Sequence, residues 1–116
     1  MGSMLYKVLP RDEWERAESD GVFQGSGIDH DDGFIHLSAA DQVTQTVKLH
    51  FAGRTDLVLV AIDEGDLRDR LRWEPSRGGM LFPHVYGTIA MSAVRRADPL
   101  PLGENGVHRF PADFPV

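Results

Sequence analysis

Cysteine is absent from the 116 residues, which excludes disulfides, thiolate metal centres and a cysteine nucleophile in one step. Long apolar runs are missing too. None approaches the ~20 residues that cross a bilayer, and no basic stretch followed by an apolar one opens the chain, so a cytoplasmic protein with no membrane partner is expected. Basic residues are the minority: 12 Lys plus Arg stand against 18 Asp plus Glu, giving a net charge of −6 and a pI near 5.2. That balance argues against a phosphate-tracking surface and so against general nucleic-acid binding. Internal repeats and low-complexity tracts are lacking, as are a Gly-x-Ser-x-Gly elbow and the spacing of a P-loop or dinucleotide fingerprint.

What is present fits one folded domain. Hydrophobic residues make up 41% and charged residues 26%, a globular balance in a chain too short for two cores. Residues 4–100 are expected to form the domain and 101–116 an irregular tail, with Met1 to Ser3 set apart as a start or a scar. Leu5 to Leu9 reads as a strand stopped by Pro10, followed by a charged helix over 11–20 that Gly21 ends. Gly21 to Gly33 reads as a long exposed loop. Phe34 to Leu37 is a short strand, and Ser38-Ala39-Ala40-Asp41 matches the start of a helix with an apolar stripe of Ala40, Val43, Val47 and Phe51, leaving Gln42 outside it. Leu57 to Ile62 is too short for a helix and suits a central strand covered on both faces. One helical turn over 66–70, strands over 71–74, 81–86 and 89–94, and a basic loop at Ser76 to Gly79 complete the reading. Strands outnumber helices without βαβ alternation, so the class is α+β: two small mixed or antiparallel sheets with two main helices.

Residues two apart on a strand share a face, which groups Phe34, His36 and Ser38, and separately Phe82, His84 and Tyr86. His36 beside a glycine-rich loop suits a ligand donor or general base; a histidine satisfied by a backbone carbonyl is the plainer reading. Ser38 suits a helix cap better than a nucleophile. His84 between two aromatics resembles a ring-binding surface, or else an edge strand whose rings cover the core. Glu74 beside Trp73 suits a carboxylate that steadies a developing cation, or a surface group paired with Arg72 or Arg77. Arg77-Gly78-Gly79 can offer a guanidinium and backbone N–H groups to a phosphate, or simply form a turn. Asp29, His30, Asp31 and Asp32 lack the spacing of a cation site, so no metal is expected.

Taken in order, Tyr6-Lys7, Asp32-Gly33-Phe34-Ile35-His36-Leu37-Ser38, Arg72-Trp73-Glu74, Arg77-Gly78-Gly79 and Phe82-Pro83-His84-Val85-Tyr86-Gly87 resemble the bacterial family called domain of unknown function 952. The resemblance covers about residues 4 to 100. It implies a fold related to the ADP-ribosyltransferase superfamily, whose members bind NAD between two small sheets, and it implies no known reaction. On that footing His36, Glu74 and His84 would be the catalytic candidates. Phe34, Ser38, Trp73, Arg77, Gly78 and Tyr86 would line the ligand site, NAD or a related nucleotide would be the ligand, and a monomer or weak dimer is expected. The chain departs from the superfamily pattern in having no unambiguous late-strand glutamate. The alternatives are a non-catalytic module binding a small molecule or partner on the same face, and a metal hydrolase using His30, His36 and the aspartates.

Overall fold

Pro10, with φ −60° and ψ 145°, closes strand β1 (Met4–Pro10) and caps helix α1 (Arg11–Asp20). Proline suits that junction because it has no N–H to leave unpaired and a φ already set for the first turn. Helix α1 buries only Trp14 and Ala17, and Gly21 ends it by donating to the carbonyls of Ala17 and Glu18. The structure, a computed structural model, describes residues 3–114, the Arg77 side chain excepted; Met1 and Gly2 of the leading segment and the last two tail residues lie outside the described residues.

The expected loop over 21–33 contains regular structure: strand β2 (Val22–Phe23) and a short helix α2 (Ile28–Asp32). The strand expected over 34–37 is β3 (Ile35–His36), and a second strand, β4 (Ser38–Ala39), stands in a different sheet where a helix start was expected. The chain changes sheets at Leu37, whose N–H donates to the Pro83 carbonyl at 2.9 Å. Helix α3 (Ala40–His50) follows. Its N-cap is Ala39 and not Ser38, because Gln42 Oε1 accepts from the Ala39 N–H at 3.0 Å while Ser38 Oγ lies 3.1 Å from Thr46 Oγ1. Gln42 is buried, against expectation, since its amide also donates to the Leu81 carbonyl at 2.8 Å. Phe51 caps the other end, its N–H donating to the Val47 carbonyl.

Strand β5 (Leu57–Asp63) is the centre the sequence implies, paired antiparallel to β1 on one side and β9 (Val94–Leu100) on the other. Its side chains alternate: Val58, Val60 and Ile62 enter one core, and Leu57, Leu59 and Ala61 enter another. Two tight turns over 64–66 and 68–70, in place of one over 66–70, lead to β6 (Leu71–Pro75), which pairs with β7 (Leu81–Val85). The last strand expected over 89–94 breaks at a turn over 91–93 into β8 (Ile89–Ala90) and β9.

Among the described residues there are three antiparallel sheets where two were expected: β4-β1-β5-β9, β3-β7-β6 and β2-β8. Splitting 34–39 and 89–100 between sheets creates the third. The first core lies between the large sheet, α1 and the two smaller sheets; the second lies under α3. Residues 101–114 carry one isolated bridge, Leu102 to His108, yet Phe110 and Phe114 pack on the second core. A radius of gyration of 13.4 Å matches one compact domain of this length. No helix among the described residues is long and apolar enough to cross a membrane.

Candidate functional site

The three-stranded sheet turns Ile35 and Val85 into the first core, so the neighbours of opposite parity, His36 and His84, face the other way. They are directly paired across β3 and β7, and Arg72 of β6 is paired with His84 in turn. Their rings lie 5.3 Å apart, edge to face. Phe34 lies over both, stacked on His84 at 4.2 Å and tilted against His36 at 4.6 Å, with Tyr86 at 5.2 Å. The Arg72 guanidinium lies 5.8 Å from the Tyr86 ring centroid. Five of the nine candidates therefore meet on one face: Phe34, His36, Glu74, His84 and Tyr86.

Glu74 Oε1 accepts from Tyr86 O–H at 2.8 Å and lies 2.8 Å from His84 Nδ1. The hydrogen bonds to His84 and then Tyr86 pull the Glu74 carboxyl below its ordinary range, so it is ionised at neutral pH. The same bond raises the Tyr86 phenol. An ionised carboxylate can only accept, so His84 Nδ1 carries a proton and donates to Glu74. The other ring nitrogen, Nε2, is buried and has no hydrogen-bond partner among the described residues.

His36 is held differently. Its Nδ1 lies 2.6 Å from Asp29 Oδ1 and its Nε2 2.9 Å from Asp32 Oδ2. Asp29 is 3% exposed and accepts three further hydrogen bonds, from Lys7 Nζ at 2.7 Å and from the backbone N–H of Ser26 at 2.9 Å and of His36 at 3.1 Å; Lys7 also donates to the His36 carbonyl at 3.0 Å. Burial pushes the Asp29 carboxyl up, but the Lys7 ammonium and these hydrogen bonds bring it below its ordinary value. Burial lowers Lys7, only partly countered by Asp29. Gly25 makes room for the pair: a Cβ there would stand 3.1 Å from Asp29 Cβ, and φ of +113° suits only glycine. Asp32 is half-exposed, so its hold on Nε2 is exchangeable for a ligand oxygen.

The other candidates are elsewhere. Ser38 has crossed into the large sheet and contacts Thr46. Trp73, 40% exposed, is paired with Pro83 and alternates to the face opposite Arg72 and Glu74. Gly78 lies in the turn Arg77–Gly79 with φ +67° and open space around it; the Arg77 side chain lies outside the described residues. Among the described residues no group of three or more His, Asp or Glu is arranged to hold a metal ion. A hollow of about 30 Å³ beside Tyr6, Arg96 and Phe114 opens off the second core and touches none of these candidates. Lys7 and Asp29 are the site residues whose roles sequence reasoning missed. The available signal was Lys7 itself, a charge between Leu5 and Leu9 on a core-facing side.

Residues 8–97 match the family described as "Protein of unknown function (DUF952)". The chain belongs to that family. A similar solved structure is the crystal structure of protein CC0527 from Caulobacter crescentus, a structural-genomics target: 44% identity, 92% of this chain and 94% of that one, TM-score 0.87. The solution NMR structure of the same protein gives 45% identity, 90% of each chain and a TM-score of 0.81. No curated protein matches the chain. The five gathered residues all fall within the part of the chain that the DUF952 family covers.

Proposed function

We propose that this face binds a small ring-bearing ligand of the nucleotide class, NAD first among them, and acts on it in the manner of an ADP-ribosyltransferase. The observation that supports the reading is the meeting of Phe34, His36, His84 and Tyr86 beside an ionised Glu74. Aromatic faces suit stacking on a flat ring. His36, oriented through Nδ1 by buried Asp29, presents Nε2 to a ribose hydroxyl in exchange for Asp32. Glu74 places a fixed negative charge where a positive centre would develop as the bond from ribose to nicotinamide breaks. His84, backed by Glu74, is the group suited to take a proton from the incoming acceptor.

The test is ligand-observed NMR of the protein with NAD, ADP-ribose, nicotinamide and AMP, followed over hours. Saturable NAD binding with slow release of nicotinamide, both lost in His84→Ala, is the expected result. Binding without release would make the same face a non-catalytic module. No binding of any of the four overturns the reading.

A further inference from the structure

Strand β6 has one neighbour, β7, and its other side is an open edge of the three-stranded sheet. Among the described residues β6 and β9 are the edge strands longer than two residues. The direction of the β6 backbone is fixed by the two bonds that flank it: Tyr86 N–H donates to the Arg70 carbonyl and Ser76 N–H to the Met80 carbonyl, each at 2.8 Å. Bonding alternates along an antiparallel pair, so Arg72 and Glu74 turn their N–H and carbonyl groups toward β7. Leu71 and Trp73 turn theirs to the open edge, and Pro75 turns its carbonyl there.

The side chains along this edge complement themselves. Arg72 and Glu74 share the face of the candidate site, and Trp73 stands between them on the opposite face. Arg72 makes no ion pair among the described residues, its guanidinium lying near the Tyr86 ring. Glu74 holds His84 and Tyr86 through Oε1, and its side chain is 35% exposed, so Oε2 is open to a further donor. Strand β9 differs, because Arg95 and Arg96 are adjacent like charges and each already meets two aspartates.

We infer that β6 pairs with β6 of a second copy of this chain, antiparallel about a twofold axis at Trp73. In that register the two Trp73 residues exchange both of their N–H to carbonyl bonds, and each Leu71 N–H donates to the Pro75 carbonyl of the other copy. On the site face Arg72 of each copy stands directly opposite Glu74 of the other, so the guanidinium meets Oε2. On the other face the two exposed indoles cover each other. With the axis moved by one residue, Arg72 would face Arg72 or Glu74 would face Glu74, and like charges directly opposite repel. A second copy is the occupant because it brings the matching charges in the matching order. The pairing leaves Oε1 and His84 untouched and holds whatever this face binds.

The test is sedimentation equilibrium of wild type, Arg72→Glu and Glu74→Arg, with the two variants run alone and mixed in equal amounts. Wild type is expected to dimerise as its concentration rises. Each variant alone sets like charges opposite at two positions and weakens association at least about tenfold, whereas the mixture sets opposite charges at both and restores it. Amide exchange locates the contact: the N–H groups of Leu71 and Trp73 gain protection with concentration, and that of Arg72, bonded to β7, is protected throughout. Glu74→Arg also removes the partner of His84. Should circular dichroism show it unfolded, Trp73→Pro carries the test, since it deletes the outward N–H, spares the β7 ladder and is expected to weaken association at least about tenfold. A wild type still monomeric at about 1 mM overturns the inference. So does association that survives both Arg72→Glu and Trp73→Pro, or a mixture of two folded charge variants that associates no more tightly than either alone. The proposed function is read separately, from NAD binding and nicotinamide release, and neither depends on this pairing.

Discussion

Replacing Lys7 by methionine tests whether the buried ion pair organises the site. Methionine keeps most of the apolar stem but removes the 2.7 Å bond to Asp29 and the 3.0 Å bond to the His36 carbonyl. A hydrogen bond to a charged group contributes about 1.5–3 kcal/mol, and a buried acceptor left unpaired costs roughly 1–3 kcal/mol. Two effects reduce the sum. Asp29 keeps His36 and the Ser26 N–H, and the fold no longer buries an ammonium that burial already disfavours. A net loss of about 2–3 kcal/mol results, below the 3–5 kcal/mol typical of a fully orphaned buried charge. At a urea slope of about 2 kcal/mol per molar, the midpoint falls by roughly 1 M, read through the fluorescence of buried Trp14. The sign with pH follows from Asp29. Its folded value is depressed below 3.8, so its contribution is complete above the unfolded value and is lost as pH falls through the folded one. Removing Lys7 raises the folded value, and acid unfolding moves to higher pH. A double-mutant cycle with Asp29→Asn should show coupling above about 1 kcal/mol. A change under about 0.5 kcal/mol for Lys7→Met, or an additive cycle, would refute the reasoning.

Glu74→Ala removes the main cause of the raised Tyr86 phenol, so its titration shifts down toward 10, followed by ring-carbon NMR; ¹H–¹⁵N spectra of the same variant should show His84 losing its fixed Nδ1–H form. Leu67, fully buried between two tight turns, is expected to cost roughly 2–5 kcal/mol as alanine, measured by urea unfolding. Gly33→Ala meets no atom within 4 Å but must hold φ +82°. Its penalty is the left-handed backbone alone, about 1–2 kcal/mol, and a much larger loss would mean that the Cβ also clashes.

Where the chain keeps one periodicity over a full element, the sequence is a sound guide to structure. Leu57 to Ile62 alternates between two cores because both faces of β5 are covered, and a continuous apolar run has no other way to bury itself in a strand. Pro10 and Gly21 bound α1 through covalent constraints that act within a few residues. The strands β2, β3, β4 and β8 have two residues each, too few for any alternation to show. Their partners are chosen by tertiary contacts. The bond from Leu37 N–H to the Pro83 carbonyl carries the β3–β7 pairing one residue further before Ser38 pairs with Tyr6 in the large sheet, and nothing local to Phe34-Ile35-His36-Leu37-Ser38 announces the change.

The candidate site divides along the same line. Parity alone places His84 and Tyr86 together and sets Trp73 opposite Glu74, so those relations were readable once β6 and β7 were recognised as strands. Ser38 has the parity of His36 and still leaves, because parity holds only within one strand and β3 ends before it. Asp29 was grouped with its neighbours in the loop, whereas its partner Lys7 is 22 residues away on another element. No spacing rule reaches that far. The other half of the pair was visible as a misfit: Lys7 alternates with Leu5 and Leu9 toward the first core, where an ammonium is unfavourable unless a carboxylate meets it. A charged residue at an apolar position in a strand pattern therefore predicts a buried counter-charge. The sequence carries 18 Asp plus Glu, and Asp29 is the one the fold brings to Lys7.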